Sequence, residues 1–193
     1  MLQLTQIDAL IIVDVQNDFL PGGSLAVPGG NEIIPILNTY IAKFERRGQP
    51  IFASRDWHPP DHCSFRDHGG IWPVHCVAGT RGSAFAAALK LPATASVISK
   101  GIERNTETYS AFGTNALETA LHEEGIRRLF IGGLATDYCV RHTVNDALVR
   151  GFEVLLLRDA VRAVDLQRGD GDRACTEMLA HGAVPITIER LAP

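Results

Sequence analysis

Cys139 stands in the stretch GLATDYC, where a short apolar run, Leu129 to Ile131, gives way to the amphipathic segment TVNDALVR. A cysteine placed where a strand turns into a helix lies beside unpaired backbone N–H groups and the positive end of the helix dipole, and both favour a thiolate. A free cysteine is by default a small buried hydrophobe, so a nucleophilic role needs partners from elsewhere in the chain. Asp14 in IIVDVQNDF and Lys100 in SVISKG each follow an apolar run of strand length. An aspartate there commonly caps a turn and a lysine commonly points to solvent. Yet the chain uses Arg fifteen times and Lys three times, and the cation at this strand end is the compact one whose pKa shifts beside a carboxylate and a thiol. Together the three supply a thiol, a base for its proton and a cation to order the pair, which is what nucleophilic catalysis requires.

A second constellation is Asp56-x-His58, followed by His75 in IWPVHC. Two side chains one residue apart on extended chain point the same way, and a third from the next loop could close three corners of a metal site. Asp with two His suits Zn, Fe or Mn and leaves positions open for water or substrate. The same loop reads equally well as a His- and Asp-rich surface. His62 and His68 also lie in it, and His62-Cys63 with His75-Cys76 offers a structural zinc alternative, although adjacent donors chelate poorly. Phe19, Trp57, Trp72 and Tyr109 flank these positions. Facing a crevice, they would form a flat apolar slot for a small planar molecule.

These residues must be positioned by a regular alternation. Apolar, β-branched runs occur at Ala9–Val15, Pro50–Ser54, Ser96–Ser99, Arg128–Gly132, Phe152–Arg158 and Val184–Ile188, with helical patterns at Glu32–Arg47, Ser83–Lys90, Thr114–Glu124, Asp137–Arg150 and Asp172–His181. Gly48, Gly125, Gly151 and Gly182 stand where helices should close. Near-continuous apolar strands separated by helices predict an α/β fold of three layers, α/β/α, around a parallel sheet covered on both faces. Ligands of such a sheet bind outside the carboxyl ends of the strands, where Asp14, Asp56, Lys100 and Cys139 fall. The segment Trp57–Gly82 is too long to be an idle connection.

Apolar residues make up 46% of the chain and charged residues 21%, with no linker or repeat, so one domain spanning residues 1–193 is expected. A net charge of -4 offers no basic face to a polyanion, and no apolar run is long enough to cross a bilayer, so neither nucleic acid nor membrane is expected as a partner. Four cysteines without CxxC spacing or a secretion signal predict reduced thiols and a cytoplasmic protein.

With those residues in view, the chain resembles the nicotinamidase/pyrazinamidase branch of the isochorismatase-like cysteine hydrolases. The likeness is carried, in order, by LIIVDVQNDFLPGGSLAVPGG, RDWHPPDHCSF, GGIWPVHCVAGTRG, KG with YSAF, and GLATDYCVRHTVNDA. It implies a doubly wound domain with a central six-stranded parallel sheet. It implies hydrolysis of nicotinamide to nicotinate and ammonia, and of pyrazinamide to pyrazinoate, as a step of NAD salvage. The implied roles are nucleophile for Cys139, general base and acid for Asp14, supporting cation for Lys100, and oxyanion donation by the backbone N–H groups of Ala135 and Cys139. Asp56, His58 and His75 are the implied ligands of one divalent transition metal, zinc first, with iron or manganese as alternatives. His62 matches a histidine that some members place on the metal and others do not. Phe19, Leu25, Trp72 and Tyr109 are implied to line the substrate slot, and the peptide between Leu134 and Ala135 to be cis. The partner is then a small molecule, and a homo-oligomer is compatible with the family.

Overall fold

A computed structural model describes residues 1–192. The strands are β1 (Asp8–Val13), β2 (Ile51–Asp56), β3 (Ser96–Lys100), β4 (Arg128–Leu134), β5 (Glu153–Arg162) and β6 (Val184–Ile186), and the helices are α1 (Ile33–Arg46), α2 (Asn115–Glu123), α3 (Arg141–Val149) and α4 (Asp170–Ala180). The sheet has six strands in the order β3-β2-β1-β4-β5-β6, and every pairing in it is parallel. The expected three-layer, doubly wound α/β architecture is the one observed.

The alternation within β1 explains the layers. All of its residues are buried, with Leu10 and Ile12 in the cluster that α1 joins through Leu37, Tyr40, Ile41 and Phe44. Ala9, Ile11 and Val13 face the opposite cluster, shared with Leu117 and Leu121 of α2, Val144 and Ala147 of α3, and Met178 of α4. A strand apolar on both faces can only be satisfied between two helical layers. Each leucine, isoleucine, valine, phenylalanine or methionine among them contributes about 1.5–3 kcal/mol when fully buried. Among the described residues no helix is long and apolar enough to cross a membrane.

The strand order places the functional end. The chain begins in the middle of the sheet, winds outward through β2 and β3, then returns to lay β4 against the other side of β1. The order reverses between β1 and β4, and a crevice opens at the carboxyl ends of strands that diverge in this way. Gly133 lies at that point, paired with Val13, with φ at 129°. A Cβ there would run into the backbone of Val13, so only glycine permits so close an approach.

One expected helix is absent. Ser83–Lys90 forms turns, and its backbone bonds go to the segment after β1: Asn17 N–H donates to Ala84 O at 3.0 Å and Ala86 N–H to Val15 O at 3.0 Å. Ser83, Ala86 and Leu89 are buried at a spacing of three, which imitates a helical stripe. Tertiary pairing with the Val15–Asn17 segment uses the groups a helix would need for itself. The segment expected to be helical from Asp137 begins instead with a π-type turn, Thr136–Val140, before α3.

Candidate active site

Four strand ends converge. Asp14 follows β1 with φ at 49°, a left-handed conformation that takes its backbone out of the strand. Its carboxylate is fully buried and accepts a hydrogen bond from Ser54 Oγ on β2 at 2.7 Å. Asp56 and Lys100 end β2 and β3 opposite one another in register. Cys139 lies in the turn after β4, entered through a cis peptide between Leu134 and Ala135, as expected.

The Lys100 ammonium is the hub. Its Nζ lies 2.5 Å from Asp56 Oδ1, 2.9 Å from Asp14 Oδ2 and 3.4 Å from Cys139 Sγ. The Asp14 contact is one of charge without hydrogen-bond alignment, which leaves Oδ2 without a donor. Burial alone would discharge a lysine. Here the charges of Asp14 and Asp56 outweigh it and hold the ammonium pKa well above its ordinary value. Burial raises the Asp14 pKa against the opposing pull of Lys100. Burial likewise pushes the Cys139 thiol well up, with Lys100 opposing and the charges of Asp14 and Asp56 adding to the rise. This upward shift favours the protonated thiol at rest. Burial works against the dipole at the turn, so deprotonation calls for a base in contact.

Asp56 turns its other oxygen to two histidines. His58 Nδ1 lies 2.9 Å from Gly101 O and His75 Nδ1 lies 2.8 Å from Pro73 O. A carbonyl only accepts, so both rings carry hydrogen on Nδ1 and present the Nε2 lone pair. Those lone pairs stand 3.7 and 4.0 Å from Asp56 Oδ2, and His58 Nε2 is buried without a partner. Three electron-rich atoms facing one another in a buried space fit a divalent cation between them, with the Nδ1 hydrogen bonds as the usual outer support. Gly101 is required here, since a Cβ at its φ of 61° would strike the His58 ring.

His62 is placed differently. Its ring stacks on His58 with centroids 4.1 Å apart, but Nε2 donates to Thr106 O at 3.2 Å and Nδ1 accepts from Ser64 Oγ at 2.7 Å. Both nitrogens are occupied, so His62 lies outside the group of three.

The cleft above Cys139 is lined by Phe19, Leu25, Trp72 and Tyr109 together with Asp56, His58, His75 and Ala135. Asp14 and Lys100 lie buried beneath its floor. Trp72 Nε1 donates to Tyr109 Oη at 3.0 Å, which ties the two side chains together at the cleft wall. Trp57 is not among the residues lining the cleft, and the Arg55 guanidinium lies 3.7 Å above its ring.

The isochorismatase domain model matches residues 8–190, which includes every residue named above. The chain belongs to the isochorismatase family. Among its relatives is a nicotinamidase of Escherichia coli, 38% identical, with 93% of this chain and 94% of that protein covered. Among solved structures, the pyrazinamidase of Pyrococcus horikoshii in complex with zinc is 49% identical with a TM-score of 0.90, covering 94% of this chain and 99% of that one. The L. infantum protein PnC1 in complex with nicotinate is 38% identical with a TM-score of 0.93, covering 99% and 98%.

Several residues of this family member escaped sequence reasoning. Tyr138 lines the cleft and meets Trp72 edge to face at 4.8 Å. Glu107, Thr108 and Val164 complete the rim. Asp137, buried in the turn that carries Cys139, accepts the N–H groups of Val164 at 3.0 Å and Asp165 at 2.9 Å and so ties the loop after β5 to the cleft. Ser54 and Gln16 are polar side chains beside apolar strands. That incongruity is the one signal in the sequence that could have found them.

Proposed function

We propose that this protein is a metal-dependent cysteine amidohydrolase that converts nicotinamide to nicotinate and ammonia, and pyrazinamide to pyrazinoate, a step of NAD salvage. The observation that carries the reading is the Lys100 ammonium, in contact with Asp14, Asp56 and Cys139 at once. It joins a thiol, its base and a metal-ligand carboxylate in one buried group. The nicotinamidase and pyrazinamidase relatives supply the substrate class.

The slot between Phe19, Leu25, Trp72 and Tyr109 takes the planar ring and excludes water. Asp56, His58 and His75 hold the metal, for which zinc fits a carboxylate and two imidazoles, as do iron and manganese. When bound, the metal supplies a Lewis-acidic position open to a ring nitrogen or to water. Asp14 takes the Cys139 proton as sulfur bonds to the carboxamide carbon, and Lys100 stabilises both the carboxylate before transfer and the sulfur charge during it. The carbonyl oxygen becomes an oxyanion held by the backbone N–H groups of Ala135 and Cys139, each such donor typically worth about 3–4 kcal/mol of barrier. Protonated Asp14 then passes its proton to the departing nitrogen, the C–N bond breaks and ammonia leaves a thioester. Asp14 removes a proton from water as its oxygen attacks the thioester, and returns it to sulfur as the C–S bond breaks and the acid is released.

A single domain, reduced thiols and a cytoplasmic setting belong to the same reading, supported by four cysteines with no disulfide among the described residues. The test is ammonia release from nicotinamide by chelated protein re-supplied with individual divalent metals. Activity should require metal and should fall by about 10⁴–10⁶ in Cys139→Ala. Near wild-type turnover by that variant would end the proposal.

A further inference from the structure

Gln16 is fully buried and takes no part in the chemistry described above. Its side-chain amide nevertheless makes three hydrogen bonds at the centre of the site. Asp56 N–H donates to Gln16 Oε1 at 2.8 Å, and Gln16 Nε2 donates to Asp56 O at 2.7 Å and to Ser83 O at 2.9 Å. The orientation of the amide is unambiguous, because two carbonyls require the NH₂ end and one N–H requires the oxygen.

The reason for this arrangement lies in the sheet. Val13↔Ser54 is the last rung between β1 and β2, after which Asp14 enters its left-handed conformation and the main chain departs. Asp56, two residues further along β2, remains paired with Lys100 on the β3 side. On the β1 side its N–H and C=O would be buried without partners, at a cost of about 1–3 kcal/mol each. The primary amide of Gln16 reproduces the donor and acceptor of the missing peptide. Through Ser83 it also fastens the turn segment that displaced the expected helix.

We propose that Gln16 is a positioning residue that sets the Asp56 backbone, and through it the split of one carboxylate between Lys100 at Oδ1 and the metal position beside His58 and His75 at Oδ2. This rests on the reading of Asp56, His58 and His75 as metal ligands. A carboxylate shared in this way must be held to a fraction of an ångström, since rotation toward either partner loosens the other. Outer supports of metal ligands typically tune metal affinity by about 10–100-fold.

The test compares wild type, Gln16→Met, Gln16→Glu, His58→Ala and Tyr40→Phe as purified full-length protein. Zinc(II) affinity is measured by competition with a chromophoric chelator, alongside thermal melting and kcat and KM for nicotinamide at saturating zinc. Methionine keeps the volume and removes all three bonds, and glutamate keeps the acceptor while removing the donors. Both are expected to fold, to bind zinc about 10–100-fold more weakly and to show a lowered kcat at saturating zinc. Tyr40→Phe, which loses a remote hydrogen bond to Asp159, controls for stability alone and should change melting without changing zinc affinity. Gln16→Met that folds and binds zinc within twofold of wild type would overturn the proposal. If that variant does not fold, Gln16→Glu decides by the same criterion, and failure of both to fold would also overturn it. Wild type that binds no zinc removes the ligand reading and this proposal together. Zinc bound by wild type, lost in His58→Ala and unchanged in the Gln16 variants removes this proposal alone.

Discussion

Lys100 Nζ lies 2.5 Å from Asp56 Oδ1, so the cation beside the Cys139 thiol and the Asp14 carboxylate is also the counter-ion of the carboxylate that faces His58 and His75. Both groups are buried, Lys100 beneath the cleft and Asp56 at its wall. The Asp56, His58 and His75 group and the Cys139 thiol are therefore one electrostatic unit, and a change at either is felt at the other.

Lys100→Met should show this most directly. Removing the ammonium leaves the Asp14 and Asp56 carboxylates buried without their cation, a change that costs about 3–5 kcal/mol when one partner of a buried pair is lost. Urea unfolding should report that loss, and ammonia release should fall with it. Lys100→Arg should not restore activity, because a planar guanidinium cannot reach three partners packed around one nitrogen. A loss below about 1 kcal/mol would place the pair in the class of weak surface bridges and defeat the argument.

Chelation should silence the protein without unfolding it. The proposed ligands lie at the end of β2 and in the loop that follows it, whereas the fold rests on two apolar clusters on either side of the sheet. Circular dichroism should keep the helical signal after chelation, and re-supplied metal should restore turnover. His58→Ala should bind no stoichiometric metal. Cooperative unfolding by the chelator alone would indicate a structural metal instead.

Acid should destabilise the metal-free protein. Burial, seconded by Arg141, lowers the His142 pKa below its usual 6.5, and burial lowers His62 and His75 in the same direction. A histidine whose folded pKa is depressed binds more protons when unfolded. Its contribution is present above the unfolded value of about 6.5 and is lost as pH falls through the folded value. Urea midpoints should drop between about pH 7 and pH 5, with a shallower slope in His142→Gln. An equal slope in that variant would show that His142, stacked on Tyr109 at 5.2 Å, is not among the groups responsible.

The aromatic slot can be probed at the bond that orders it. Trp72→Phe removes the donor to Tyr109 Oη while keeping a ring against Tyr138. A hydrogen bond of this type contributes about 0.5–1.5 kcal/mol, so KM for nicotinamide should rise between about twofold and tenfold, with kcat changed less. A larger effect on kcat than on KM would mean that the tryptophan acts on the reacting group, not on ring placement.

Much of the site was legible in the residues themselves. Asp14, Lys100 and Cys139 were distinguished by standing at the ends of apolar runs, and the family motifs around them implied the ligand set and the lining of the slot. The cis peptide after Leu134 and the sheet were anticipated on the same grounds. The misreading of Ser83–Lys90 has a plain cause. Three buried residues at a spacing of three satisfy the pattern of a helix, and only the pairing of Ala84 and Ala86 with the segment after β1 shows that the backbone is committed elsewhere.

The sequence by itself determined the alternation of strands and helices, because apolar periodicity and closing glycines are local properties of the chain. It also determined which groups capable of chemistry lie at strand ends. Tertiary structure alone decided how they divide the work. Whether His62 joins the metal position depends on Thr106 O and Ser64 Oγ already holding its two nitrogens. Whether the thiol is charged at rest depends on how far burial outweighs Lys100. That Gln16 stands in for a missing rung of the sheet depends on where β1 stops relative to β2. Each of these is a competition between groups far apart in the chain, and such a contest is settled by distance and desolvation, which no spacing of residues along the sequence encodes.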